Sequence, residues 1–402
     1  MLNNILSTLF TRGLVAILNL LVLLFAARQL GSSLVGEISL IILNISLVQI
    51  LNEIYTGSAL VHFIPKFNLR SVYYGGLLWT MASVLILNAL FWLFNIGDVK
   101  YSLQTTALSF LLILHSFHMV ILLAREQIKV YNLLLFLQAF TLLSVLYLLV
   151  YVSGLKRVES YITAFYLAYS LPLLFSSLAV GRLVKAEDSH PDCDFKLIIS
   201  KGITNQLGNL AHTLSNRFNY YIIGASAWLG VYANSTSLVE SIWLISGSAA
   251  PIVLSHMANS GEKDKNSRLV LFIAKICFLL SLFCVIILYF LPNELFVYVL
   301  GQDFTETKSL MLYLSPGILA ISFSTIISHY FSGLGQQRVQ LMANSAGLLC
   351  TLLLSIYLIG NFGLKGACLT ASIAYGVQAL ILTVVFIKQQ QFKLRDLLSL
   401  KI

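Results

Sequence analysis

The chain has 402 residues, of which 58% are hydrophobic and only 10% are charged, and it carries a formal net charge of +9. Its mean hydropathy is +0.87. Because a soluble domain carries roughly 25% charged residues, this composition excludes a water-soluble globular protein. In lipid, only α-helices and closed β-barrels satisfy all backbone hydrogen bonds, and the continuous apolar stretches of this chain predict helices.

Twelve apolar stretches have the length of about 20 residues that a membrane-spanning helix needs. The first set is predicted over 5–27, 37–62, 72–95, 103–124, 131–153 and 160–183. The second set is predicted over 202–224, 229–257, 268–291, 308–333, 339–360 and 365–388. We therefore predict an all-α polytopic membrane protein with two pseudo-repeated six-helix lobes.

The predicted lobes are residues 1–183 and 202–402, and a polar, charged linker over 184–201 joins them. The second lobe ends in a short basic tail. A faint repeat supports a duplication. Leu30-Gly31 precedes Thr56-Gly57-Ser58-Ala59 in the first half, as Ile223-Gly224 precedes Ser246-Gly247-Ser248-Ala249 in the second.

The lysines and arginines predict the orientation of the spans. If both termini lie in the cytoplasm, most of these residues fall in cytoplasmic connections, as the positive-inside rule requires. The positive charge then faces anionic lipid headgroups, so we expect the lipid bilayer and not nucleic acid as a partner.

Several kinds of chemistry have no motif in this sequence. No GxxxxGK[ST] loop is present, and the five cysteines lack the spacing of metal ligands. The connections between spans are too short to hold a soluble catalytic domain. We therefore predict no catalytic residue, no metal site and no cofactor, with a proton or sodium gradient as the expected source of energy.

The seventh span carries the strongest functional signal. Asn205, Asn209, His212, Asn216 and Asn219 recur at i, i+4, i+7, i+11 and i+14, which places them on one narrow helix face. Lipid does not accommodate such a face, so we expect it to line a cavity or to contact other helices. The same side chains suit sugar hydroxyls and interhelical hydrogen bonds.

Five charged residues lie deep within predicted spans, namely Arg12, Glu53, Arg217, Glu240 and Lys275. A charge at the bilayer centre costs about 2.5–3.5 kcal/mol on insertion scales, so such residues face a partner or a cavity. The two arginines and two glutamates occupy the first and second spans of each half, where they are candidates for structural ion pairs. Lys275 is expected to extend its ammonium group to the interface.

Four segments carry a resemblance to a known family. They are ARQLGSSLVGEISL (27–40), the segment 229–258 beginning LGVYANSTSL, the segment 298–338 containing Pro316 and GLGQ, and GLKGACLTASIAYGVQAL (363–380). In this order they resemble the polysaccharide and O-antigen flippases, which translocate lipid-linked oligosaccharides. These flippases belong to the multidrug/oligosaccharidyl-lipid/polysaccharide exporter superfamily.

The resemblance implies two lobes around a central cavity that alternates in access. It implies transport of an undecaprenyl-diphosphate-linked oligosaccharide repeat unit across the bacterial cytoplasmic (inner) membrane, for O-antigen, lipopolysaccharide or other surface polysaccharide. A polysaccharide polymerase and other assembly proteins are then possible partners.

For such a cargo, we interpret Arg12 and Arg217 as candidate ligands of the diphosphate, since the guanidinium fork matches its oxygens. Asn52 joins the five polar residues of the seventh span as a candidate for the cavity lining. Glu53 and Glu240 are the candidate coupling residues.

Two other function classes stay open. A cation-coupled multidrug extruder of the same superfold has the same span count, but the intramembrane arginines favour an anionic cargo. A polytopic oligosaccharide ligase or polymerase typically carries a large basic outer loop, whereas the longest outer segment here, near 292–308, is short and acidic. We therefore favour a transporter over an enzyme.

Overall fold

In a computed structural model of the chain, the described residues are 2–57, 59–97, 99–186, 190–259 and 263–392. Residues 187–189 of the predicted linker and the predicted tail from residue 393 onward lie outside the described residues.

The described residues are almost entirely helical. The first half contains α1 (Leu2–Thr56), α2 (Ala59–Phe63), α3 (Leu69–Leu93), α4 (Ser102–Ala124), α5 (Ile128–Tyr147) and α6 (Val158–Lys185). The second half contains α7 (Phe195–Ile223), α8 (Ala227–Asn259), α9 (Lys263–Phe290), α10 (Asn293–Leu300), α11 (Thr307–Gly333) and α12 (Gln337–Gln390).

The two longest helices each contain two of the predicted spans. α1 has 55 residues and is interrupted at Gly31, where φ is 81° and ψ is 171°. α12 has 54 residues and is interrupted at Gly363, where φ is 56° and ψ is −134°. A side chain disfavours a positive φ, so a glycine at each interruption lets the chain end one helix and begin the next without strain.

Nine helices of the described part of the chain are long and apolar enough to cross a membrane, counting α1 together with α2 and counting α12 once. α7 is not among these nine, because its polar stripe lowers the hydropathy of a helix that is otherwise long enough. The predicted all-α polytopic architecture is confirmed.

Glycines with positive φ recur at corresponding connections of the two halves. Three of them lie in connections of the first half that were predicted to face outward, and three lie in the corresponding connections of the second half. They are Gly31, Gly97 and Gly154, and then Gly224, Gly301 and Gly363. Gly31 and Gly224 are the two glycines of the sequence repeat, and their φ angles of 81° and 72° are similar.

The chain divides into two compact units. Unit 1 comprises Met1–Gln206, Gly224–Gly230 and Val299–Gly301, and unit 2 comprises Leu207–Ile223, Val231–Tyr298 and Gln302–Ile402. The division passes through α7 after Gln206. The predicted lobe boundaries at 183 and 202 stay a prediction.

Each unit has its own apolar core. In unit 1, α1, α4, α5 and α6 pack around buried side chains that include Leu146 and Phe165. In unit 2, α8, α9, α11 and α12 enclose Tyr330, Phe331 and Phe386, and the rings of Tyr330 and Phe386 meet edge to face at 5.1 Å. These cores hold the helices that carry the polar residues described below.

Two glycines of unit 1 allow a close approach of backbones. Gly36 packs against the carbonyl group of Ser226, and Gly230 packs against the carbonyl group of Ser32, so the two contacts are reciprocal. A methyl group at either glycine would overlap the facing carbonyl oxygen. By contrast, Gly247 of α8 has no atom within 4 Å of the place where a Cβ would lie.

We predict that Gly230→Ala lowers the melting temperature of the purified protein and that Gly247→Ala on the same helix does not. Overpacking costs about 1–3 kcal/mol, which exceeds the roughly 1 kcal/mol that Ala contributes over Gly to helix stability. Thermal unfolding of both variants in detergent measures the difference. Equal melting temperatures would contradict the tight contact at Ser32.

Candidate functional site

The centre of the candidate site is an ion pair between α7 and α8 in unit 2. The Arg217 Nη2 atom lies 2.5 Å from Oε2 of Glu240. The side chains retain 24% and 15% of their exposure, respectively. The pair is therefore neither sealed in the core nor fully open.

Two tyrosines complete the coordination of this ion pair. Nη1 of Arg217 donates a hydrogen bond of 2.9 Å to the hydroxyl of Tyr220, and the guanidinium carbon lies 5.3 Å from the centre of the Tyr220 ring. The hydroxyl of Tyr375 on α12 donates to Oε1 of Glu240 over 3.2 Å. Each charged group thus has one partner besides the other charge, which offsets part of the cost of removing both charges from water.

A second hydrogen-bond chain lies one to two turns earlier on α7. The amide of Asn216 donates to Nε2 of His212 over 3.1 Å, which leaves Nδ1 of His212 to donate to Oε1 of Gln378 over 3.4 Å. Gln378 in turn donates to the hydroxyl of Ser215 over 2.8 Å. The ring of His212 rests edge-on against Trp243 with 5.6 Å between ring centres. This chain of partners orients a neutral imidazole.

The polar stripe of α7 is only partly accessible. Asn205, Asn209 and His212 are half-buried, whereas Asn216 and Asn219 are buried. The stripe therefore becomes less accessible towards the C-terminal end of α7. Asn205 belongs to unit 1 and the other four belong to unit 2.

The structure corrects the interpretation of Asn219 as a cavity residue. Asn219 is completely buried. Its amide nitrogen donates to the hydroxyl of Tyr232 over 3.2 Å and to the carbonyl of Ala367 over 3.0 Å, and its amide oxygen accepts from Ser355 over 2.7 Å. Asn219 thus joins α7 to α8 and to both halves of α12, which is the interhelical alternative that the sequence left open.

The corresponding charged residues of the first half do not form an ion pair. Arg12 is exposed and has no hydrogen-bond or ion-pair partner among the described residues. Glu53 is half-buried and accepts a hydrogen bond of 2.8 Å from Nε2 of Gln49, one turn earlier in α1. The arginine and the glutamate therefore form an ion pair in the second half and not in the first.

Asn52 also differs from its predicted role. Its side chain is completely buried, donates to Ser83 over 2.7 Å and to Thr80 over 3.3 Å, and accepts from Thr56 over 2.5 Å. These bonds hold α1 against α3. In this conformation the amide has no free group to offer to a ligand.

The position of the Lys275 side chain also differs from the sequence prediction. It lies in the middle of α9, and only 8% of it is exposed. The expected extension of its ammonium group to the membrane interface is therefore wrong.

Tyr375 and Gln378 are functional candidates that the sequence interpretation missed. They lie three residues apart, on one face of α12, and contact the ion pair and the imidazole, respectively. The signal was two polar side chains at helical spacing within the twelfth predicted span. Among the described residues, no group of three His, Cys, Asp or Glu is placed to hold a metal ion.

Comparison with known proteins agrees with this fold. Residues 225–357 match the protein-family model described as MatE. No curated protein sequence matches the chain.

Solved structures match over nearly the whole chain. An inward-facing multidrug resistance MATE family transporter of the MOP superfamily is 17% identical with a TM-score of 0.75, and the alignment covers 94% of both chains. The lipid II flippase MurJ in an inward closed conformation is 16% identical with a TM-score of 0.71, over 100% of this chain and 90% of MurJ.

A third structure is a MOP superfamily transporter from Pyrococcus furiosus, described as having a binding pocket of reverse polarity. It is 16% identical with a TM-score of 0.59, over 96% of this chain and 94% of its own. The chain has the fold of these transporters. At this level of identity, the likeness extends to the fold and not to the cargo.

We predict that Asn219→Ala lowers the free energy of unfolding by about 1–2 kcal/mol, because buried partners on α8 and α12 lose their hydrogen bonds. The matched control is Asn361→Ala, since Asn361 is exposed and bonds only to the carbonyl of Tyr357 in its own helix. Denaturation of both variants in mixed micelles measures the difference. A change at Asn219 no larger than at Asn361 would contradict the structural role.

Proposed function

We propose that this chain is a flippase that moves an undecaprenyl-diphosphate-linked oligosaccharide across the bacterial cytoplasmic membrane. The cargo would serve O-antigen or another surface polysaccharide. The observation that carries the proposal is the partly exposed side chain of Arg217 on α7, which is held among the hydrogen-bonding side chains of Glu240 and Tyr220. Planar, two-pronged donors of this kind are the preferred partners of phosphate oxygens.

The surroundings of Arg217 suit a sugar-bearing cargo. Asn209 and His212 precede it on α7 and are half-buried, so parts of their side chains can reach a bound molecule. Amide and imidazole groups donate and accept hydrogen bonds, as sugar hydroxyls require. Asn205 continues the same helix face as a further candidate. Arg12, exposed near the start of the first span, is a candidate for the first contact with the headgroup at the cytoplasmic side.

The comparisons support transport as the class of activity. Both the MATE transporter and the lipid II flippase align with nearly the whole chain. By analogy with this fold, the proposed cycle admits the headgroup and sugars from the cytoplasm while the lipid tail stays in the bilayer. A change in access then releases them outside, without an enzymatic step.

A multidrug extruder is the second candidate function. The MatE match over 225–357 favours it. So do the contact of Glu240 with the Tyr375 hydroxyl and the Tyr220 ring beside its partner Arg217, since carboxylates and aromatic rings bind organic cations. The two functions assign opposite roles to the ion pair. In a flippase Arg217 contacts the cargo, whereas in an extruder Glu240 does.

We predict that Arg217→Gln abolishes complementation of a strain from which the gene is deleted. Surface glycan should fall at least about tenfold, with the lipid-linked repeat unit retained on the inner leaflet, because loss of a charged hydrogen bond costs several kcal/mol. Arg217→Lys, which keeps the charge without the planar fork, should show a partial loss. Glycan electrophoresis and inner-leaflet labelling measure both quantities.

The matched control is Arg70→Gln, because Arg70 is an exposed arginine at the start of α3. It should complement fully when the membrane levels of the variants are equal. Full complementation by both Arg217 variants would contradict the proposal. Unchanged glycan in the deletion strain, together with new sensitivity to cationic drugs, would favour the extruder.

A further inference from the structure

We propose that the Glu240 carboxylate competes with the diphosphate of the cargo for Arg217. The carboxylate binds the guanidinium when no headgroup is bound and leaves it when the diphosphate arrives. The inference rests on the proposed function. In this role, Glu240 lowers the affinity of the site for the cargo and neutralises the charge of Arg217 when the site is empty.

The two oxygens of Glu240 have separate partners. Oε2 contacts Arg217 and Oε1 accepts from the hydroxyl of Tyr375. Arg217 is held in the same way, since Nη2 contacts Glu240 while Nη1 donates to Tyr220. The charge pair can therefore open by breaking one contact, because each partner keeps a second hydrogen bond that holds it near its place.

The location of the pair also favours exchange. A fully buried ion pair is costly to open, because each charge is left without a partner in a medium of low dielectric constant. Here both side chains keep part of their exposure. An incoming phosphate can replace the carboxylate at Arg217 before the guanidinium is left without a partner.

Charge balance explains why the empty site needs an internal anion. A free guanidinium in the membrane carries an uncompensated charge, which raises the cost of moving the empty protein between its two access states. With Glu240 in place the pair is neutral. When a diphosphate binds, the carboxylate lies beside another anion, and the repulsion between them favours its departure from Arg217.

In the described part of the chain, four titratable groups face Glu240. They are Arg217 and Tyr220 from α7 and Tyr375 from α12, with His212 at longer range. Both ring nitrogens of His212 already have hydrogen-bond partners. Glu53 offers no comparable arrangement, because its described partner is the neutral side chain of Gln49.

The test is the affinity of the full-length protein, purified in nanodiscs, for undecaprenyl diphosphate without sugars. At pH 8, Glu240→Gln should bind at least about tenfold more tightly than the wild type, because close charge pairs couple by about 1.5 kcal/mol or more. Arg217→Gln should lose binding. The matched control is Glu159→Gln, since Glu159 also accepts from a tyrosine, Tyr101, but lies exposed at the start of α6. It should bind like the wild type.

The outcomes separate the two proposals. Loss of binding in Arg217→Gln with no gain in Glu240→Gln would overturn the competitor and keep the anion site. Equal binding by the wild type, Arg217→Gln and Glu240→Gln would overturn the proposed function itself.

Discussion

The requirement that every polar group in lipid find its partner inside the protein governs the second half of this chain. α7 carries more polar side chains than a single helix can satisfy, so α8 and α12 supply partners. Asn219 is bonded by Tyr232, Ser355 and the carbonyl of Ala367, and Arg217 is bonded by Glu240. The bonds of Asn219 hold the helices together, whereas the side chains of Arg217 and Glu240 keep part of their exposure, which is why we propose that a cargo exchanges there.

The two halves share a plan and differ in chemistry. Glycines with positive φ occur at corresponding connections of both halves, such as Gly31 and Gly224. The charged residues differ, because Arg217 and Glu240 form an ion pair in the second half. In the first half, Arg12 is exposed without a partner among the described residues, and Glu53 bonds to Gln49. The second half therefore holds the candidate anion site.

Hydropathy alone predicted the helices, because the length of each span is set by the thickness of the bilayer. The helical period also predicted one polar face on α7. The solvent burial of each residue on that face depends on how neighbouring helices pack against it. The sequence therefore did not distinguish buried Asn219 from half-buried Asn209. Tyr375 was missed because a tyrosine and a glutamine three residues apart in an apolar span do not identify the carboxylate that the tyrosine contacts.

The most direct test of the central claim is flipping by the purified protein in proteoliposomes that contain a fluorescent undecaprenyl-diphosphate-linked oligosaccharide. Quenching from outside reports how much of the glycan has changed leaflet. We predict rapid transfer of the lipid-linked glycan that requires Arg217, and no transport of cationic dyes. Dye transport that requires Glu240, with no movement of the lipid-linked glycan, would contradict it.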